Sequence, residues 1–139
     1  MLVYDFVAVG APFEHASERM HAARPGALAE AAAVAFDCPT VDGRLEHGPM
    51  RVRQDAIVVD VRLAGDPHRT GFEYFEGEFQ LSPLRASRSH LSLSASYEPA
   101  GNASFTSLER TRAHRDTELR VRDLLAIVAL QLEQAAGGW

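Results

Sequence analysis

The sequence contains no lysine, and all 14 of its basic residues are arginine. Nineteen acidic residues outweigh them, giving a net charge of −5 and a pI near 5.6. A chain of this balance lacks the basic stripe needed to neutralise phosphates, so no nucleic-acid partner is expected. Arginine in place of lysine, with abundant alanine, points to a GC-rich bacterial genome and carries no mechanism. Cysteine occurs once, at Cys38, so no internal disulfide can form and a reducing compartment is implied. Residues 1–6 lack the charged start and apolar core of a signal peptide. The longest apolar stretch, 124–130, is far shorter than the ~20 residues that cross a bilayer. The expectation is a cytoplasmic protein without stable membrane insertion.

Signatures of chemistry are also missing. The six histidines, at 15, 21, 47, 68, 90 and 114, are dispersed, and none forms HExxH or another ligand pair with a third partner. His114 and Glu118 lie four apart on an expected helix and read as a surface pair. Cys38 precedes Pro39 in no recognisable nucleophile motif. Ser92, Ser94 and Ser96 share the polar face of a strand, which explains them without a catalytic triad. No glycine-rich phosphate loop follows a strand. Asn102-Ala103-Ser104 matches a glycosylation sequon by chance. No catalytic residue, metal site or cofactor is expected.

What is present is an ordinary globular composition, 46% hydrophobic and 24% charged over 139 residues. That length suits a single domain, 1–139, since domains cluster around ~100–150 residues. Residues 2–9, rich in Val, Tyr and Phe, read as a strand ending at Gly10-Ala11-Pro12. Pro12 opens a short helix over 13–21. Arg24-Pro25-Gly26 interrupts it, and the alanine-rich run 27–36 forms a second helix. The pattern then shifts to period two. A strand of uncertain extent falls around 44–53, and Ile57, Val59, Val61 and Leu63 alternate with Asp60 and Arg62, which face outward. Gly65-Asp66-Pro67-His68-Arg69 carries loop chemistry. In the next strand, 71–81, the phase of Phe72 and Tyr74 differs from that of Phe75, Phe79 and Leu81, which signals a β-bulge. Residues 82–86 read as a loop, and Leu91, Leu93, Ala95 and Tyr97 mark the apolar face of a further strand. Thr106-Ser107-Leu108-Glu109 reads as a capping box, after which no proline or glycine occurs until Gly137. Val121, Leu125, Val128 and Leu132 form a helical stripe that Leu124, Ile127 and Leu130 widen, so this helix should be enclosed.

Three stretches carry a resemblance to a known family. Val7-Ala8-Val9-Gly10-Ala11-Pro12-Phe13-Glu14 is similar to an opening strand running into an Ala-Pro helix start. Gly77-Glu78-Phe79-Gln80-Leu81-Ser82-Pro83-Leu84, with His90-Leu91-Ser92-Leu93 and Tyr97-Glu98-Pro99, is similar to a pair of closing strands with a Tyr-x-Pro exit. Residues 120–133 are similar to a terminal helix. Together they resemble the START-like (SRPBCC) superfamily, which includes pollen-allergen-like ligand carriers and the polyketide cyclase/dehydratase and lipid-transport group. The chain departs from that pattern at Ala16-Ser17, where relatives place a bulky pair, and in its alanine run. The resemblance implies an α+β helix-grip fold: a curved antiparallel β-sheet wrapped around a long C-terminal helix, with two short helices after the first strand.

The resemblance also implies a ligand cavity between sheet and helix. Val59, Val61, Tyr74, Phe75, Phe79, Leu93, Tyr97, Leu125 and Val128 are its candidate lining, with Tyr74 and Tyr97 placed to supply a hydroxyl. Periodicity does not separate a lining residue from a packed one, so a filled core and an apolar cavity both fit. Three functions stay open: binding or transport of a small hydrophobic molecule (a lipid, polyketide or aromatic metabolite), a polyketide cyclase/dehydratase-type enzyme, and a protein-interaction module without a ligand, working through a surface such as an exposed strand edge in a homodimer. The chain itself is expected to be a monomer or homodimer.

Overall fold

The computed structural model describes residues 1–23, 26–37, 45–65, 70, 72–99 and 106–134. Cys38, the sequon, His68, most of the loop at 65–69 and Gly137 lie outside the described residues. The chain runs β1 (Leu2–Val9), α1 (Phe13–His21), α2 (Ala27–Ala35), β2 (Leu45–His47), β3 (Arg51–Arg53), β4 (Ala56–Ala64), β5 (Phe72–Arg85), β6 (Arg88–Pro99) and α3 (Ser107–Glu133). The strands form one antiparallel sheet in the order β1-β6-β5-β4-β2, with β3 also paired to β4.

Local chemistry sets the helix boundaries. Pro12, with φ −59°, is preorganised to lead into α1. Gly26 precedes α2 at φ 85°, a left-handed conformation that only glycine adopts without strain. At α3 the Thr106 side chain accepts a hydrogen bond from the Glu109 backbone N–H at 3.1 Å, the cap expected from the sequence. α3 packs on β1, β6, α1 and α2 through Val121, Leu125, Val128 and Leu132, all essentially fully buried. Burial of each such side chain contributes ~1.5–3 kcal/mol. The enclosure of α3 is one-sided, however: Leu119 and Leu130 stay exposed, because no element packs over that face among the described residues.

The sheet differs from expectation in three places. The region around 44–53 is two short strands broken at Gly48-Pro49-Met50, with His47 paired to Val61 and Arg51 to Val58. Residues 82–85, expected in a loop, continue β5 as far as Arg85, and Ala86 and Ser87 make the turn. Pro83 lies beyond the reach of β4, whose pairing with β5 ends at Leu81, so it borders β6 alone, opposite Ser89, where β5 is an edge on its other side. The bulge is real but sits between Phe72 and Phe75, where β5 gains one residue on β6 (Phe72 opposite Pro99, Phe75 opposite Tyr97). It turns both phenylalanines inward and Tyr74 outward. Tyr74 is 52% exposed beneath the Arg62 guanidinium, 4.6 Å from its ring centre, and so does not join the interior cluster.

Between the sheet and α3 lies a knot of aromatic rings. Phe36, at the end of α2, meets Phe72 and Phe75 edge-on, each at 5.6 Å between ring centres. Tyr97 lies 6.0 Å from Phe72 and 6.2 Å from Phe75. Phe36, Phe72, Phe75 and Phe79 are all buried to within 2%. Gly77 allows β5 and β6 to approach closely: a Cβ there would sit 2.1 Å from the Ser94 carbonyl oxygen.

Candidate functional site

The concave face of the sheet is not filled along its whole length. Away from the aromatic knot, α1 and α2 form an elbow that stands off β4 and β5, leaving an apolar chamber of about 300 Å³ that opens to solvent. Its floor is Val59 and Phe79, directly opposite one another on β4 and β5. The elbow supplies Met20, Ala27 and Leu28. The third wall is the break between β2 and β3, where Gly48-Pro49-Met50 crosses the opening. This crossing is anchored because the Gly48 N–H donates to the Asp60 carbonyl at 2.9 Å.

Two histidines stand at the rim. His21, in the last turn of α1, has Nδ1 2.8 Å from the Ser17 carbonyl oxygen. His47, ending β2, has Nδ1 3.2 Å from the Gly48 carbonyl oxygen. Both residues line the chamber, and none of its described lining residues is Asp, Glu or Arg. A site of this type holds a ligand by apolar burial and orients it with a few polar atoms.

Of the nine residues named from the sequence, Val59 and Phe79 line this chamber. Val61, Phe75, Leu93, Leu125 and Val128 are buried in the packed layer under α3, and Tyr97 beside them is 5% exposed. Tyr74 faces away from both. Met20, His21, Leu28, His47 and Met50 were not singled out. Their segments lie far apart in the chain, and no periodic pattern links them.

A second polar arrangement lies at the opposite end of the knot. The Tyr97 hydroxyl is 2.5 Å from His114 Nδ1, and the two ring planes are nearly parallel, with centres 5.8 Å apart. His114 Nε2 is in turn 3.6 Å from the Glu118 carboxylate, so the expected surface pair reaches inward through Tyr97. Burial pushes the Tyr97 hydroxyl pKa above its ordinary value, against a lowering contact from Thr117, and the Glu118 charge adds to the rise. Raised in this way, Tyr97 is a donor held neutral rather than a ready base. Among the described residues no group of three or more His, Cys, Asp or Glu side chains is placed to hold a metal ion. None of the described helices is long and apolar enough to cross a membrane.

No protein-family model matches the chain, and no curated protein matches it. Solved structures do. A protein from Thermus thermophilus superposes with a TM-score of 0.57 at 13% identity, covering 99% of this chain and 100% of that one. A conserved protein from Geobacillus kaustophilus reaches 0.56 at 11% identity, covering 93% of each chain. The di-domain ARO/CYC BexL of the BE-7585A biosynthetic pathway reaches 0.56 at 14% identity, covering 96% of this chain and 46% of its own. At such identities the likeness is one of fold. The fold is START-like: six antiparallel strands curved about a terminal helix, with two short helices after the first strand.

Proposed function

We propose that this START-like chain binds a small hydrophobic molecule in the chamber between the helical elbow and the sheet, without transforming it. The observation that carries the reading is the chamber itself: about 300 Å³, floored by Val59 and Phe79 and walled by Met20, Leu28 and Met50. This reading puts the ligand outside the sheet–α3 layer, where the rings of Phe36, Phe72, Phe75 and Tyr97 pack together. Liquid water occupies ~30 Å³ per molecule, so the chamber displaces roughly ten waters. A compound of about that many heavy atoms suits it better than a two-chain lipid. Burial of its apolar surface supplies the driving force at ~25 cal/mol per Å². Native mass spectrometry of freshly purified protein, with extraction and identification of what is released, tests this. A reproducible small apolar adduct supports binding. A bare mass, with no uptake from a panel of one- and two-ring aromatics, contradicts it.

A second reading draws on one observation. The Tyr97–His114–Glu118 contact links a buried hydroxyl to an imidazole and a carboxylate, groups suited to moving protons in a cyclase-type reaction. It competes poorly because neither Tyr97 nor His114 lines the apolar chamber. Loss of turnover in Tyr97→Phe on any polyketone substrate would raise it. A wild type without turnover, whose ligand affinity is unchanged by Tyr97→Phe, would dismiss it.

A further inference from the structure

The two rim histidines share an arrangement that restricts what the chamber accepts. A carbonyl oxygen only accepts hydrogen bonds, so the Nδ1 atoms facing the Ser17 and Gly48 carbonyls must carry the ring hydrogens. In a neutral imidazole the other nitrogen is then a bare acceptor. His21 and His47, when neutral, therefore each hold Nε2 as a hydrogen-bond acceptor, and both residues border the same apolar chamber. They come from separate elements, α1 and β2, and each tautomer is fixed by its own local backbone. Charged partners for an anion are lacking among the described lining residues.

Resting on the reading of this chamber as a ligand site, we propose that it selects a one- or two-ring phenol or enol whose hydroxyls donate to Nε2 of His21 and His47. The apolar body of such a ligand lies over Val59 and Phe79, and its polar edge meets the rim. A carboxylate or phosphate of the same size would bring only acceptors to two acceptors and would meet no Arg among the described lining residues. A wholly apolar ring would fill the chamber but forgo both hydrogen bonds.

Calorimetric titration at pH 8 tests this with three probes: 1,3-dihydroxynaphthalene, 1,3-dimethylnaphthalene and 1-naphthoate. The wild type is compared with the double variant His21→Phe/His47→Phe and with the double variant His21→Gln/His47→Gln, which restores a carbonyl acceptor at each position. The ratio of diol to dimethyl affinity cancels the apolar contribution common to the variants. It should fall about tenfold in the Phe variant, given the usual net strength of two neutral hydrogen bonds, and hold within a few-fold in the Gln variant. A ratio unchanged in the Phe variant overturns the selection while leaving ligand binding in place. Naphthoate favoured over the diol in the wild type overturns it as well. If none of the probes binds the wild type, the ligand chamber itself fails and this inference fails with it.

Discussion

Replacing Phe36 by alanine separates the packed part of the interior from the open part. Phe36 is fully buried and meets two other rings edge-on at 5.6 Å, so its removal costs both transfer free energy and a residual cavity. Buried Phe→Ala changes cost ~3–5 kcal/mol, out of a typical total stability of ~5–15 kcal/mol. For 139 residues the unfolding entropy near the midpoint is about 0.3 kcal/mol/K, so the loss corresponds to a fall in Tm of roughly 10–17 °C. Differential scanning calorimetry reads that fall directly. The new void is apolar and surrounded by phenylalanine rings, the kind of cavity that stays dry and takes up benzene. Saturating benzene should therefore recover part of the lost Tm in Phe36→Ala, by mass action on the folded state. A fall of less than a few degrees, or an equal benzene effect in the wild type, would mean that the space under α3 is already open and that the layer is not packed as described.

Three further outcomes follow from single residues. Gly77→Ala sets a Cβ 2.1 Å from the Ser94 carbonyl, so β5 and β6 must part; the variant should lose several °C of Tm or fail to accumulate as folded protein, and a wild-type Tm would refute the close approach. The raised Tyr97 pKa favours the neutral phenol in the fold, so its contribution to stability is complete below pH ~10 and is lost as pH rises through the higher folded value. Tyr97→Phe should accordingly flatten the alkaline arm of the Tm-versus-pH curve and remove the last tyrosine to ionise in an absorbance titration; an unchanged titration would contradict this. Arg19 is only 6% exposed, and its Nε and Nη2 atoms find no hydrogen-bond partner among the described residues. Arg19→Met keeps the stem and removes the unpaired donors, so denaturant unfolding should give a stability gain of ~1 kcal/mol or more, and a loss would mean the guanidinium has a stabilising role.

Features set by local chemistry could be read from the chain. The Thr106 cap, the stripe at Val121, Leu125, Val128 and Leu132, and the break before α2 at Gly26 each depend on neighbours within a few residues. So does the alternation of β6, although Ser92, opposite Phe6, is buried while Ser94 and Ser96 are exposed. Features set by pairing could not. The phase slip in β5 announced a bulge, but whether Tyr74 pointed in or out depended on where β6 took up the extra residue. Phe36 stands at the end of an alanine run and gives no periodic signal, yet it fills a layer for which the sequence alone allowed either a packed core or a cavity. The chamber draws on residues 20, 21, 23, 27, 28, 47–50, 59 and 79, brought together only by the elbow and the broken β2–β3 segment. Val59 and Phe79 could be named from the sequence because they lie on the apolar face of regular strands. Met20 and Met50 were not, since a lone methionine at a helix end or in a turn looks like ordinary packing.

The location of the ligand can be tested through those two methionines. The chain has three, Met1, Met20 and Met50, and only the last two line the chamber. With methyl-labelled methionine, a titration with 1,3-dihydroxynaphthalene followed by NMR gives three resolvable reporters. The Met20 and Met50 methyl signals should shift together with one saturation curve while Met1 stays in place. Saturable binding that leaves both signals unmoved would put the ligand elsewhere and contradict the chamber as the functional site.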